Sequence, residues 1–371
     1  MNIFLGLFTN LDLVIKDYRL GGFKGIEPLS PSKEILSEPG EVLHILKQEG
    51  DSEHLITKEL FEFLKKKFKG KRKIGGNAGN AAMILSELGI PCVLSCPSRP
   101  ETIMDMLGRY KGVRVVREGC FISPPKAAKS DSEFEHLSFE KEGYRKIFTF
   151  DPVSFDCVLD EDFWEKINSA DLLWLCGFHL VSEKYKHKVD MISDMLEEAG
   201  CKIHLELGDG TETVRYAISK FVDSGVLHSL GMNEVETKFI GFKGDPLEHT
   251  DFFSEFMKAG GLERLTIHSK EYRLTFFRKD REKNMKAGEE SVRISAARAF
   301  GNIRENLERI SKLKRYRLKR ARGKNFILIP AYVTPKPKVI TGLGDTCSIV
   351  DAVISLGENL NIYRKTTLNY E

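Results

Sequence analysis

Two glycines and a carboxylate, in the order Gly342-Leu343-Gly344-Asp345, close a β-like run and open a stretch of helical periodicity. Val339 and Ile340 read as the strand end, and Ile349, Val350, Ala352 and Val353 as the apolar positions of a helix over Asp345 to Leu356. The glycines permit sharp backbone angles, and the helix start offers unpaired N–H groups and the positive end of its dipole. In that field the charged form of Asp345 is favoured, so the carboxylate is able to take a proton from a hydroxyl, which suits phosphoryl transfer. An ordinary turn with an Asp N-cap has the same spelling.

Other polar groups stand at comparable junctions. On the run Cys201 to Leu207, His204 and Glu206 are two apart and share a face, and a carboxylate there needs a partner or a strand end. After Gly231-Met232, where a strand gives way to a helix, Asn233 and Glu236 share the first turn. Glu206, Glu236 and Asn233 are oxygen ligands of the kind that hold magnesium, partly through water, beside substrate phosphates. A capping interaction between Asn233 and Glu236 is the competing account of that pair. Gly75-Gly76-Asn77 precedes another helical run, where glycines let a ligand approach the backbone and the Asn77 amide is able to bond hydroxyls. Asn10 and Asp12 follow the first strand, where α/β sheets place ligands, and Asp12 has the chemistry to clamp a polyol.

The elements that must position these groups alternate. Ile3–Phe8, Val93–Cys96, Leu172–Cys176, Ile203–Leu207, Val226–Leu230, Leu265–His268 and Phe326–Ile329 read as buried strands. Helix-length segments lie between many of them, at Gly79–Leu88, Ser182–Ala199, Thr211–Val222 and Leu247–Ala259. This pattern predicts an α/β fold, a mainly parallel sheet flanked by helices. Residues 13–39, with several Gly and Pro, and 113–150, with strand-like pieces and no helix, break the rhythm and read as a smaller β-rich lid. The expected division is therefore 1–12, 40–112 and 151–371 for the large domain, and 13–39 with 113–150 for the discontinuous lid.

Composition narrows the field. The 371 residues, 41% apolar and 30% charged, are globular, and a net charge of +3 gives no overall electrostatic case for nucleic acid or membrane. Met1–Phe8 is too short for a secretory signal and no run approaches a membrane span. Seven cysteines without CxxC pairs read as reduced core residues of a cytoplasmic protein. Lys65–Lys73 holds seven basic residues and Lys312–Lys324 eight; solvated helix ends or loops balanced by acids elsewhere account for both.

The ordered set of these segments resembles the ribokinase-like superfamily, and within it the ADP-dependent glucokinase and phosphofructokinase family. Gly342-Leu343-Gly344-Asp345-Thr346 resembles the family's GLGDT signature, His204-Leu205-Glu206 its HxE motif, and Asn233-Glu234-Val235-Glu236 the superfamily's NxxE motif. Thr9-Asn10-Leu11-Asp12, Gly75-Gly76-Asn77, Gly177-Phe178-His179 and Ile267-His268-Ser269 are further echoes, so the likeness spans residues 9 to 346. It implies Asp345 as base, backbone amides of Gly342, Leu343 and Gly344 as an anion hole, and Glu206, Glu236 and Asn233 around a magnesium ion. It also implies Asn10, Asp12, Gly75, Gly76, Asn77 and His179 at the sugar, Asn233 and His268 at the nucleotide, and ADP as donor. Phe8 stands where such kinases often carry a polar residue and His179 where Gln is common, which leaves the acceptor sugar open. The competing functions are an ATP-dependent ribokinase-like sugar or nucleoside kinase, and a noncatalytic phosphate or nucleic-acid binding protein on the same scaffold.

Overall fold

The computed structural model describes residues 1–16, 18–31, 35–141, 144–208, 210–318, 325–339 and 342–357. Ile340 of the expected strand end, Thr341, and residues 319–324 of the second basic run lie outside them, and Val339 is not in a strand.

The apolar runs assemble into a ten-stranded sheet. Across it the strands run Phe326–Pro330, Tyr272–Phe277, Arg264–His268, Ser229–Asn233, Lys202–Glu206, Leu172–Leu175, Ile3–Gly6, Cys92–Leu94, Val113–Arg117 and Cys120–Ile122. The seven from Arg264–His268 to Val113–Arg117 pair in parallel, while the outer strands at both ends pair antiparallel. Apolar side chains fill both faces because successive residues point to opposite sides: Ile3 and Leu5 enter one core cluster, Phe4 the other. Ile3–Gly6 lies between Leu172–Leu175 and Cys92–Leu94, so the order of the strands reverses there. Such switch points open a crevice at the carboxyl ends of the strands.

A second, six-stranded mixed sheet runs Ile35–Leu36, Ser52–Ile56, Tyr144–Thr149, Glu135–Lys141, Asn10–Lys16 and Lys71–Gly75. Leu13, Ile15, Leu137, Phe139 and Phe148 pack beneath the helices Pro39–Leu46 and Lys58–Lys67, through Val42, Leu46, Leu60 and Leu64. The two-residue period sends Asn10, Asp12 and His136 to the opposite face.

Sheet membership corrects the expected division of the chain. Residues 10–12 and 40–75 build the small sheet and its helices instead of the large domain, and Val113–Arg117 and Cys120–Ile122 are strands of the large sheet instead of the lid. Helical periodicity at Pro39–Leu46 and Lys58–Lys67 is the same whichever sheet the helix covers, so local pattern carried no assignment. The strand expected at Val226–Leu230 is Ser229–Asn233. Gly231 sits inside it because the Glu206 carboxylate fills the space that a side chain there would need. All seven cysteines are free, but Cys120 is exposed on an edge strand and Cys201 half-buried. In the first basic run, Lys65 and Arg72 pair with the buried Glu135 at 2.6 and 2.5 Å. Among the described residues no helix is long and apolar enough to cross a membrane.

Candidate functional site

A cleft of about 600 Å³ lies between the carboxyl ends of the large sheet's strands and the second face of the small sheet. Its lining includes Asn10, Asp12, Gly76, Asn77, His179, Glu206, Asn233, Glu236, His268, Gly342, Leu343, Gly344 and Asp345. Of the residues that the resemblance assigns to the site, Gly75 alone is not on this wall. It pairs with Asn10 across the small sheet and leaves room for the Asp12 carboxylate where a side chain would stand.

The helix Leu343–Ser355 starts at Gly342, whose φ of 73° is left-handed backbone that favours glycine. At Gly344 a Cβ would come within 3.0 Å of His268 Nε2, so the bare backbone is what lets the helix start abut that strand end. Asp345, in the first turn, receives 2.7 Å and 3.0 Å hydrogen bonds from the Nδ2 atoms of Asn77 and Asn80. Both asparagines belong to the first turn of the helix Asn77–Leu88, which packs against the Asp345 helix. Against the expectation from the helix start, the charged form of Asp345 is disfavoured: burial pushes its carboxyl up to about 6 and the nearby Glu206 charge adds to this, while the two amides and the Arg145 guanidinium act in the other direction.

Glu206, at the end of its strand, is buried but supported. His204 Nε2 lies 3.1 Å from Glu206 Oε2 and from Ser348 Oγ, and the Ser348 hydroxyl donates to the same carboxylate. Trp174 Nε1 donates to Ser348 at 3.1 Å, and His204 Nδ1 is 2.8 Å from Ser229 Oγ. Burial is the largest influence on Glu206 and acts to raise its pKa. The His204 and Ser348 hydrogen bonds and the His268 charge outweigh it, so the carboxyl is held below its ordinary value. His268 Nδ1 is 3.7 Å from Glu206 Oε1, and burial lowers the imidazole's pKa.

Asn233 and Glu236 form a reciprocal cap. Asn233 donates from its backbone N and from Nδ2 to the Glu236 carboxylate, both at 2.7 Å, and its Oδ1 accepts from the N–H groups of Val235 and Glu236 at 2.8 and 2.9 Å. Those two bonds occupy both lone pairs of the amide oxygen, which corrects the expectation of Asn233 as a metal ligand: it orients Glu236 instead. The donor set left for a cation, Glu206 and Glu236, consists of hard oxygens, and fits a hydrated magnesium that shares its shell with phosphates.

The small sheet supplies a wall that no motif marked. Glu53 Oε1 accepts a 3.1 Å hydrogen bond from Thr149, and Oε2 lies 3.8 Å from His179 Nε2, across the cleft on the large domain. His136 Nε2 is 3.3 Å from Asp151 Oδ2. Burial alone would lower the His136 pKa, but Asp151, then Glu53 and Asp12, raise it. Arg145, Asp51, Lys238 and Phe239 also line the cleft. Asn80 was within reach of sequence reasoning, one turn from Asn77; Glu53, His136 and Arg145 carried no local signal.

This architecture, a largely parallel sheet with a second, smaller sheet across a cleft from a glycine-led helix, is an α/β fold shared with solved ADP-dependent kinase structures. The profile described as "ADP-specific Phosphofructokinase/Glucokinase conserved region" matches residues 1–350, and the chain belongs to that family of ADP-dependent sugar kinases. It is 25% identical to the ADP-dependent glucose/glucosamine kinase of Pyrococcus furiosus, over 74% of each chain. Two solved structures share the fold. One, an ADP-dependent kinase in complex with fructose-6-phosphate and ADPβS, aligns with a TM-score of 0.76 at 18% identity over 98% of this chain and 95% of that one. The other, a hypothetical ADP-dependent phosphofructokinase from Pyrococcus horikoshii OT3, gives 0.75 at 19% identity over 96% and 97%.

Proposed function

We propose that the chain transfers the β-phosphoryl group of ADP to a hydroxyl of a sugar or sugar phosphate with Asp345 as general base and magnesium as the required cation. The observation that carries this reading is the juxtaposition of Asp345 with a helix N-terminus and two buried glutamates in one cleft. Phosphoryl transfer needs alignment and charge stabilisation more than covalent chemistry, and that is what such a cleft supplies.

The acceptor sits against the small sheet, where Asn10 and Asp12, the adjoining Gly76 and Asn77, and His179 from across the cleft offer hydrogen-bonding groups to hydroxyls, with Gly75 behind them. The donor lies over the large sheet beside His268 and the Asn233–Glu236 cap. Asp345 accepts the acceptor's proton as its oxygen bonds to the β-phosphorus; the bond from that phosphorus to the bridging oxygen breaks, and AMP leaves. Backbone N–H groups of Gly342, Leu343 and Gly344 face the equatorial oxygens of the group in flight. Glu206 and Glu236 hold the magnesium, which when bound neutralises charge on the donor phosphates. The fold closes the small sheet over the reaction and limits water as a competing acceptor.

A coupled assay of ADP and ATP at matched concentration, against glucose, fructose 6-phosphate, ribose phosphates and nucleosides, tests this. Turnover with ADP and magnesium on a sugar or sugar phosphate is expected. Turnover with ATP alone, or none with any sugar alongside salt-steep binding to nucleic acid, would replace the reading with one of its competitors.

A further inference from the structure

The helix Asn77–Leu88 buries small and apolar residues, as a sheet-covering helix ordinarily does. The Asp345 helix also buries Thr346, Cys347, Ser348 and Asp351. Beneath it, Arg264, Thr266 and His268 alternate onto one face of their strand, and Arg273 on the neighbouring strand pairs in register with His268. Asp351 Oδ2 lies 2.7 Å from Arg264 Nη1 and 2.6 Å from Arg273 Nη2. Arg273 Nη1 donates to Cys347 Sγ at 2.9 Å, and Arg264 Nε to Asn284 Oδ1 at 2.5 Å. Arg273 and Asp351 are fully buried and Arg264 nearly so. None of the three lines the cleft.

A buried carboxylate between two guanidinium groups is a poor device for stability. Desolvating three charges opposes their attraction, one positive charge stays uncompensated by Asp351, and well-packed apolar replacements of such triads are often neutral or stabilising. What the cluster has that apolar packing lacks is direction. Contacts driven by area tolerate small slides of a helix over a sheet, whereas the Arg264–Asp351 and Arg273–Cys347 hydrogen bonds fix distance and angle, and Arg273 Nη2 adds an ion contact to Asp351. The residues of the stripe meet their partners in order along the helix: Gly344 at His268, Cys347 at Arg273, Asp351 at Arg273 and Arg264.

We propose that Asp351 is a positioning residue for phosphoryl transfer, which clasps Arg264 and Arg273 and so sets the rotation and axial register of the helix that carries Asp345. This rests on the kinase reading above. The clasp places the Asp345 carboxylate and the amides of residues 342–344 relative to His268 and Glu206, and a displacement of about 1 Å in such a constellation lowers a rate roughly 10²-fold.

The test compares wild type with the compensated variant Asp351→Leu/Arg264→Met/Arg273→Met, which removes all three charges together. Thermal unfolding, KM for ADP and for the best acceptor, and kcat are measured side by side. A melting temperature equal to or above that of wild type and KM values within about twofold are expected, with kcat reduced roughly 10²-fold. Wild-type kcat in a stable compensated variant overturns the proposal, as does a loss of KM, kcat and stability in parallel. Should that variant not fold, Arg273→Lys, which keeps the charge and loses the fork, is expected to lower kcat at least about tenfold with KM unchanged; wild-type kcat there also overturns it. Absence of ADP-dependent turnover in wild type sinks the kinase reading and this inference together, whereas a fully active compensated variant sinks the inference alone.

Discussion

Asn77 donates a 2.7 Å hydrogen bond to Asp345 across 268 residues of sequence, and Asn80, one turn further along the same helix, holds the other carboxylate oxygen at 3.0 Å. The two amides hold one carboxylate oxygen each, and the carboxylate lines a cleft wide enough for a sugar and a nucleotide.

Asp345→Asn removes the proton acceptor while keeping the shape. We expect kcat to fall by about 10²–10⁴-fold, the usual worth of a general base, with the dissociation constants of ADP and sugar little changed. Steady-state kinetics with calorimetric binding checks this, and an unchanged kcat would eliminate Asp345 as base.

The pH profile follows from the same group. Burial raises the Asp345 carboxyl to about 6, and the base works only when ionised, so activity should fall as pH drops through about 6. Asn80→Ala removes a donor that favours the charged form, and should move this acidic limb to higher pH. The stability linkage has a definite sign. Because the folded state holds the proton more tightly than the unfolded chain, the contribution of Asp345 is most favourable below 3.8 and declines as pH rises toward about 6. Rate–pH profiles of both proteins decide the matter; coincident limbs would show that the amide is not tuning the acid.

Glu236→Gln keeps the cap's shape and removes a charge from the cation's surroundings. The magnesium concentration for half-maximal rate should rise, roughly 10- to 100-fold, with the maximal rate largely recovered at saturation. Titration of activity against magnesium tests it, and superimposable curves would remove Glu236 from the metal's vicinity.

Gly231→Ala would place a methyl group where the Glu206 carboxylate now lies. The carboxylate must move off its His204 and Ser348 partners, so a destabilisation of about 1–3 kcal/mol and a fall in kcat are expected together. Thermal unfolding and kinetics on the same preparation are the check, and a stable, fully active alanine variant would contradict the packing described for Glu206.

Much of the site could be read locally because its chemistry sits at transitions between elements. Gly342–Asp345, His204–Glu206 and Asn233–Glu236 each mark a strand end or a helix start, and parallel strands bring such ends to one edge. Asn233 shows the limit of that reading. Residue type alone admits ligand and cap equally, and only the two N–H groups directed at its oxygen decide for the cap.

The sequence by itself determined the alternation of strands and helices, the glycine-led start of the Asp345 helix and the shared face of His204 and Glu206, since each follows from steric rules acting within a few residues. Tertiary structure alone decided which sheet residues 40–75 and 113–117 join, that Glu53 faces His179, and that Asp351 grips two arginines. Those relationships depend on strand order and on how one layer seats on another, and contacts between groups tens to hundreds of residues apart leave no periodicity in the chain that makes them.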